Sequence, residues 1–196
     1  SRRQRGAPVF CRDVALPSIT NRNDSMSRSN LFDLAGKIAL VTGASRGIGA
    51  EIARLFAAHG AHVIVSSRKQ ADCQSVVDEI VADGGSAEAF ACHIGDMDQI
   101  ATLFAHVEKT HGRLDVLVNN AATNPYFGPI TETDPAIFQK TVDVNIRGYF
   151  YMSSHGAKLM TKHRGGSIIN VASVNGVVPG FRQGIYSITK AAVISM

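Results

Sequence analysis

The segment Thr42-Gly43-Ala44-Ser45-Arg46-Gly47-Ile48-Gly49 joins an unbroken apolar run to a stretch with helical periodicity. An apolar run without polar alternation is typical of a strand buried on both faces of a parallel sheet. The glycines permit a tight turn, and the helix behind them carries a partial positive charge at its N-terminus. We therefore predict a pyrophosphate-binding turn rather than an ordinary glycine-rich turn. Its cofactor contacts are Gly43, Ser45, Arg46, Gly47, Ile48 and Gly49.

The same alternation of short apolar runs and longer amphipathic stretches continues along residues 31–196. It predicts five strands, over residues 37–42, 61–66, 88–92, 114–119 and 166–171. The predicted helices span about 48–59, 70–83, 96–111 and 134–164, and a last helix begins near residue 184. Asp96 with Gln99 predicts a capping box, and Asp134 before a proline predicts an N-cap. Such repeats build an α/β fold, a doubly wound parallel sheet of the Rossmann type in one domain.

The net charge of +4 comes entirely from the first thirty residues. Residues 1–30 hold six arginines and two aspartates, whereas residues 31–196 hold 14 basic and 14 acidic residues. A neutral body offers no basic stripe for phosphates, so we expect no nucleic-acid partner. The composition of residues 1–30 predicts a disordered basic tail that comes from upstream of the domain. An Arg-rich, acid-poor segment is also typical of a mitochondrial transit segment, which stays open as an alternative to a cytoplasmic location.

Three further features bear on partners. No apolar run approaches the roughly 18 residues that a membrane span needs. Three cysteines without a Cys-x-x-Cys spacing favour free thiols in a reducing cytoplasm. His59 and His62 have the spacing of a ligand pair, but no carboxylate or thiol lies near them in the chain. We therefore expect no membrane partner and no metal.

The end of the second predicted strand, residues 65–69, indicates which dinucleotide binds. A site for NAD carries an acidic residue here that binds the ribose 2′-hydroxyl, and this sequence has none at that place. Arg46 and Arg68, with the hydroxyls of Ser45 and Ser67, are suited to a 2′-phosphate. The sequence favours NADP over NAD, although Arg68 also fits a solvated helix entry.

Tyr186 and Lys190 stand four residues apart, which places a phenol and an ammonium on one helix face. A nearby ammonium stabilises the phenolate form and makes the tyrosine a workable acid–base group near pH 7. Such a pair is also common on helix surfaces. Further polar residues, Asn120, Asn145 and Ser173, follow predicted strands or lie in the long helix. Ligands of open α/β sheets bind at the carboxyl ends of strands, so we expect these side chains to converge.

Jointly, these motifs resemble those of the short-chain dehydrogenases/reductases, from about residue 31 to residue 196. The resemblance rests on Thr-Gly-x-x-x-Gly-x-Gly at 42–49, Asn-Asn-Ala-Ala at 119–122, Asn145, Ser173 and Tyr-x-x-x-Lys at 186–190. It implies hydride transfer between a nicotinamide cofactor and a small carbonyl or secondary alcohol substrate. No metal takes part in that reaction.

The resemblance also implies a role for each catalytic residue. Tyr186 exchanges a proton with the substrate oxygen, and Ser173 donates a hydrogen bond to that oxygen. Lys190 binds the nicotinamide ribose and promotes ionisation of Tyr186. Asn145 holds a water that links Lys190 to solvent.

Other implied cofactor contacts, besides Tyr186 and Lys190, follow the third and fourth strands. Asn120 touches the cofactor, and His93 and Ile94 flank the adenine. Because His93 stands where many relatives have Asp, only a backbone contact is carried over to it.

Relatives continue beyond the active-site helix into a sixth and a seventh strand. We therefore expect a chain truncated after the fifth strand and the start of that helix, with the fifth strand an open edge. The resemblance implies a homotetramer or dimer for the full-length protein. Two alternatives stay open: a 3-oxoacyl-acyl carrier protein reductase that docks its carrier on Arg147 and Arg164, and a catalytically inactive nucleotide-binding fragment.

Overall fold

A computed structural model of the chain describes residues 32–196, so the predicted tail lies outside the described residues. The fold is a parallel five-stranded sheet in the order β3-β2-β1-β4-β5, which confirms the doubly wound α/β prediction. The strands are β1 Ile38–Thr42, β2 His62–Ser67, β3 Ser86–Ala91, β4 Val116–Asn119 and β5 Ser167–Asn170.

Helices follow the strands in alternation. They are α1 Gly47–Ala58, α2 Gln70–Ala82, α3 Met97–His111, α4 Pro135–Val142, α5 Tyr149–Thr161 and α6 Gly184–Ser195. Within residues 32–196, no helix has the length and apolar character that crossing a bilayer requires.

The side chains of β1 separate two hydrophobic cores. Ala39 and Val41 pack with α1 and α2 on one face, whereas Leu40 packs with α3 and α5 on the other face. All three side chains are fully buried, which explains why the strand reads as an unbroken apolar run. The two cores hold the carboxyl ends of β1 and β2 rigidly beside the glycine-rich turn.

The predicted long helix over 134–164 is interrupted. Between α4 and α5 the backbone forms π-helical turns over Asp143–Gly148, and α5 ends at Thr161. A π segment inserts one residue into the helical turn and is frequent at functional sites. The side-chain periodicity of the sequence does not reveal it, because apolar spacing changes little over six residues.

The two predicted N-caps are confirmed. Asp134 accepts hydrogen bonds from Ala136 and Ile137 N–H groups, and Asp96 accepts them from Asp98 and Gln99.

The predicted capping box is wrong in its second half. The side chain of Gln99 donates to the Asp96 carboxylate at 2.8 Å and accepts from the His93 N–H at 2.8 Å. The Asp96 N–H donates instead to the His93 carbonyl oxygen, so a tight turn has replaced the reciprocal contact of a capping box.

Candidate active site

The glycine-rich turn between β1 and α1 depends on glycine for two physical reasons. Gly43 and Gly47 have φ angles of +63° and +57°, which side chains disfavour. A Cβ on Gly43 would lie 2.7 Å from the Ala121 Cα, and one on Gly49 would lie 2.5 Å from the Gly43 carbonyl oxygen. A Cβ on Gly47 would meet no protein atom within 4 Å. The turn is therefore packed on its inner side and open on the side where a ligand approaches.

Thr42 and Asn120 hold this turn against the end of β4. The Thr42 hydroxyl donates to the Val118 carbonyl oxygen and accepts from the N–H groups of Asn120 and Ala121, at 2.9 and 3.1 Å. The Asn120 amide donates to the carbonyl oxygens of Thr42 and Gly43, at 2.9 and 3.2 Å. Asn120 therefore shapes the glycine-rich turn, in addition to its expected contact with the cofactor.

A cleft of about 290 Å³ opens beside the turn at the carboxyl ends of β1, β2 and β4. Among its lining residues are seven of the predicted cofactor contacts, Gly43, Ser45, Arg46, Arg68, His93, Ile94 and Asn120. Of these, Ile94 is buried. The seven make up half of the wall of this cleft, and the other predicted contacts, Gly47, Ile48, Gly49, Tyr186 and Lys190, are not among its lining residues.

One end of the cleft is cationic. The Ser45 and Ser67 hydroxyls are hydrogen-bonded at 3.0 Å, and Arg46, Arg68 and Lys69 line an adjoining pocket with them. Within residues 32–196, none of these three cations has a carboxylate oxygen within 4 Å. Guanidinium groups without a carboxylate partner, beside two serine hydroxyls, fit a phosphate group.

The sequence reasoning missed two residues of this pocket. Asp72 and Ser75, in the first turns of α2, line it as well. Helical periodicity after Arg68 was the available signal, since positions four and seven residues on lie on the same helix side.

The predicted backbone contact of His93 with adenine is restricted by its surroundings. Its N–H donates to Gln99, its carbonyl oxygen accepts from Asp96, and its ring Nδ1 accepts from the Gly95 N–H at 3.0 Å. An adenine contact is therefore left to the ring or to the second lone pair of the carbonyl oxygen, and the N–H is already engaged.

Lys190 is 2% exposed, although it carries an ammonium group. Its Nζ donates to the Val171 carbonyl oxygen at 2.6 Å and to the Tyr149 hydroxyl at 3.5 Å. The same Nζ lies 5.8 Å from the centre of the Tyr186 ring. Burial lowers the pKa of Lys190, and within residues 32–196 no carboxylate pairs with it. An unneutralised buried cation beside a phenol is the arrangement that acid–base chemistry uses.

Tyr149 was missed by the sequence reasoning. Its side chain is fully buried, and burial, reinforced by the nearby Tyr186, raises the pKa of Tyr149 well above its ordinary value. It therefore stays protonated and can accept from Lys190 while its own hydroxyl faces the Val171 carbonyl oxygen at 3.4 Å. The available signal was its position four residues after Asn145 on one helix.

Asn145 lies in the π-helical turns and is completely buried. Its Oδ1 accepts from the Thr123 N–H at 2.8 Å, and its Nδ2 donates to the Thr123 carbonyl oxygen and the Thr189 hydroxyl, at 2.9 and 3.0 Å. These bonds use both amide hydrogens and one oxygen lone pair. The expected water of a proton relay is therefore left to the second lone pair of Oδ1 or to the main-chain carbonyl of Asn145, and the amide joins the cleft residue Thr123 to α6.

Ser173 and Tyr186 lie on adjoining segments. Ser173 caps a short 3-10 turn, Val174–Gly176, by accepting from the Asn175 N–H at 3.2 Å, and that turn packs on α6. Tyr186 is half-buried in the first turn of α6, one turn before Lys190.

The chain matches a sequence model of the family described as short chain dehydrogenase over residues 37–196. It is 36% identical over 179 residues to human "Dehydrogenase/reductase SDR family member 4", covering 91% of this chain and 64% of the relative. An "Uncharacterized oxidoreductase" of Thermotoga maritima is 39% identical over 166 residues, covering 84% of this chain and 64% of that protein. The chain thus spans less than two thirds of the length of these two relatives.

Solved structures agree with this relationship. A metagenomic short-chain oxidoreductase in complex with NADP superposes with a TM-score of 0.80 at 39% identity, covering 83% of this chain and 73% of that one. A short-chain type dehydrogenase/reductase from Mycobacterium marinum gives a TM-score of 0.82 at 35% identity, over 87% and 70% of the two chains. With the sheet order, the glycine-rich turn and the Tyr186–Lys190 pair, these matches show that the chain belongs to the short chain dehydrogenase family.

Proposed function

We propose that the protein is an NADP(H)-dependent oxidoreductase that interconverts a secondary alcohol and a carbonyl group. The observation that carries the proposal is the buried, unneutralised Lys190 beside Tyr186, at the edge of the sheet that also holds the nucleotide cleft. A buried cation has a large solvation cost, and a structure retains it where the charge is used.

In the proposed reduction, a nicotinamide cofactor held by residues of the cleft would supply a hydride to the carbonyl carbon. The Tyr186 hydroxyl gives its proton to the carbonyl oxygen, so that the carbonyl π bond is replaced by one C–H and one O–H bond and the C–O single bond remains. Lys190 stabilises the phenolate that remains, and Ser173 donates a hydrogen bond to the substrate oxygen. A solvent proton then restores the Tyr186 hydroxyl.

The preference for NADP is also part of this proposal. It is supported by the cations Arg46, Arg68 and Lys69, which have no carboxylate partner among residues 32–196. Two solved relatives have bound NADP, the metagenomic oxidoreductase and a putative gluconate 5-dehydrogenase from Beutenbergia cavernae. Asp72 faces the same pocket and weakens, without cancelling, its positive charge.

Replacement of Tyr186 by Phe tests the acid–base assignment. We expect Tyr186→Phe to bind NADPH within about twofold of the parent, measured by NADPH fluorescence, and to lose about 100-fold or more in dicarbonyl turnover. Tyr126→Phe, in a loop outside α6, is the matched control and keeps activity. A variant that retains a tenth of the parent rate would refute the role of Tyr186.

The same titration separates the alternative of an inactive nucleotide-binding module. That alternative requires NADPH binding without turnover of any carbonyl substrate by the parent chain.

The carrier-protein reductase alternative depends on Arg147 and Arg164. Arg147 is engaged with Asp143 at 3.3 Å and with the Gly95 carbonyl oxygen at 3.0 Å, whereas Arg164 is exposed. Because the guanidinium of Arg147 is already bound within the protein, the carrier-protein reductase alternative is weakened.

Self-association through the surface of α4 and α5 is a further part of the proposal. Phe138, Phe150 and Tyr151 are 46%, 55% and 42% exposed there, and the rings of Phe150 and Tyr151 lie edge to face at 5.4 Å. Aromatic side chains are enriched at protein interfaces. We expect light scattering to give the mass of a dimer or tetramer. Phe150→Asp lowers the mass, and Leu55→Asp, at an exposed site on α1, leaves it unchanged.

A further inference from the structure

Three side chains that are distant in sequence meet at the amino end of the sheet. His62 is the first residue of β2, Glu88 lies in β3 and His111 is the last residue of α3. Their candidate ligand atoms all lie within 4.8 Å of one another. The nucleotide cleft reaches Ser67 at the opposite end of β2, so this cluster is separate from the candidate active site.

No carboxylate lies near His62 along the chain, but the fold brings the carboxylate of Glu88 close to it. The register of β2 and β3 pairs His62 with Ser86 and Ile64 with Glu88, so His62 and Glu88 share a face of the sheet. His59, the other member of the sequence pair, instead lies against Phe32 in a tilted arrangement, with ring centroids 6.2 Å apart.

In the cluster, one ligand atom is buried and has no hydrogen-bond partner among the described residues. Glu88 Oε1 is 2.8 Å from His111 Nε2 and 3.1 Å from His106 Nε2. His62 Nδ1 is 2.7 Å from the Ser86 hydroxyl, which fixes the ring. His62 Nε2 is buried and has no hydrogen-bond partner among residues 32–196. A buried ring nitrogen without a hydrogen-bond partner lowers the free energy of unfolding. A metal-ligating histidine is usually oriented by a hydrogen bond at its other ring nitrogen, and the contact of His62 Nδ1 with Ser86 is a bond of that kind.

We propose that His62, Glu88 and His111 bind a divalent transition-metal ion of the Zn²⁺ class, with water or His106 as the fourth ligand. Two imidazoles and one carboxylate are a ligand set that Zn²⁺ accepts. Tetrahedral zinc needs ligand atoms roughly 3.3 Å apart, so the side chains close in from their present spacing by small rotations. The ion ties β2, β3 and the last turn of α3 together and stabilises the fold.

Thermal unfolding after chelator treatment and addition of ZnCl₂ tests the site. At free zinc 100-fold above Kd, we expect Tm to rise by about 5–10 °C and elemental analysis to find one zinc per chain. Glu88→Gln and His111→Gln abolish the rise. His59→Gln, which replaces an exposed histidine three residues before His62, keeps the rise.

A second readout covers a variant that folds poorly. Co²⁺ bound in place of zinc gives the visible absorption of a tetrahedral site in the parent and in His59→Gln, and loses it in Glu88→Gln. Absence of a Tm rise in the parent, or an equal rise in Glu88→Gln, would overturn the proposal. Dicarbonyl turnover by the chelated parent is expected to remain, so failure of this site is distinguishable from failure of the proposed enzymatic function.

Discussion

Lys190 illustrates at the residue scale how burial changes a side chain's chemistry. Its ammonium is almost inaccessible and is satisfied by one carbonyl oxygen and one hydroxyl. Folding therefore disfavours the charged form, and the pKa of Lys190 is lowered by burial. The side chain therefore weakens the fold, and under the proposed function the same burial serves the chemistry, a conflict that is common at functional residues.

Replacing Lys190 by Met should stabilise the protein while it abolishes turnover. We expect Tm at pH 7 to rise by roughly 2–4 °C, which corresponds to about 1 kcal/mol in a domain of this size. The pH dependence has a definite sign. Between the lowered native pKa and the unfolded pKa near 10.4, the unfolded chain binds more protons, so the parent gains stability as pH rises.

The advantage of Lys190→Met should therefore shrink from pH 7 to pH 10, as scanning calorimetry at the two pH values will measure. Lys158→Met, on the exposed side of α5, is the control and should show no such trend. An advantage that is constant with pH would contradict the assignment to Lys190.

Arg68 decides cofactor preference in our account. Removing a charge-assisted hydrogen bond to a phosphate costs about 1.5–3 kcal/mol, so Arg68→Ala should weaken NADPH binding by roughly 10- to 150-fold. NADH, which lacks the phosphate, should bind as before. Fluorescence titration with both nucleotides measures this, and Arg164→Ala serves as the control. Equal losses for the two nucleotides would contradict the phosphate contact.

At the scale of elements, the π-helical turns over Asp143–Gly148 bring Asn145 onto the loop after β4 and onto α6. The order of the elements was predictable, because strand-length apolar runs and capped amphipathic stretches are local signals. The interruption of the long helix was not predictable, because it is stabilised by contacts of Asn145 with Thr123 and Thr189. Those partners lie on other segments of the chain.

Asn145→Ala should loosen this junction. It removes three hydrogen bonds and leaves buried partners unsatisfied, so we expect the free energy of unfolding to fall by about 2–3 kcal/mol in urea. Gln139→Ala, which loses an exposed contact between α4 and Asp143 of the π-helical turns, should cost less than about 0.5 kcal/mol. Similar losses in the two variants would show that Asn145 does not join the elements.

At the scale of the whole molecule, the two ends of the sheet differ in how far their residues could be predicted from the sequence. The nucleotide end is built from contiguous motifs, so the glycine-rich turn and the Tyr186–Lys190 pair were evident in the sequence. At the amino end, His62, Glu88 and His111 become neighbours only through strand register and the length of α3. No spacing rule along the chain encodes such an encounter.

The hydrogen bonds that brace the glycine-rich turn have a kinetic consequence. Thr42 and Asn120 hold the turn by five hydrogen bonds whose donors and acceptors all belong to the protein, so its shape is set without contacts to a nucleotide. A turn that needs no rearrangement accepts its ligand in a single encounter step. In stopped-flow mixing, NADPH association should follow one exponential whose rate rises linearly with nucleotide concentration and shows no plateau.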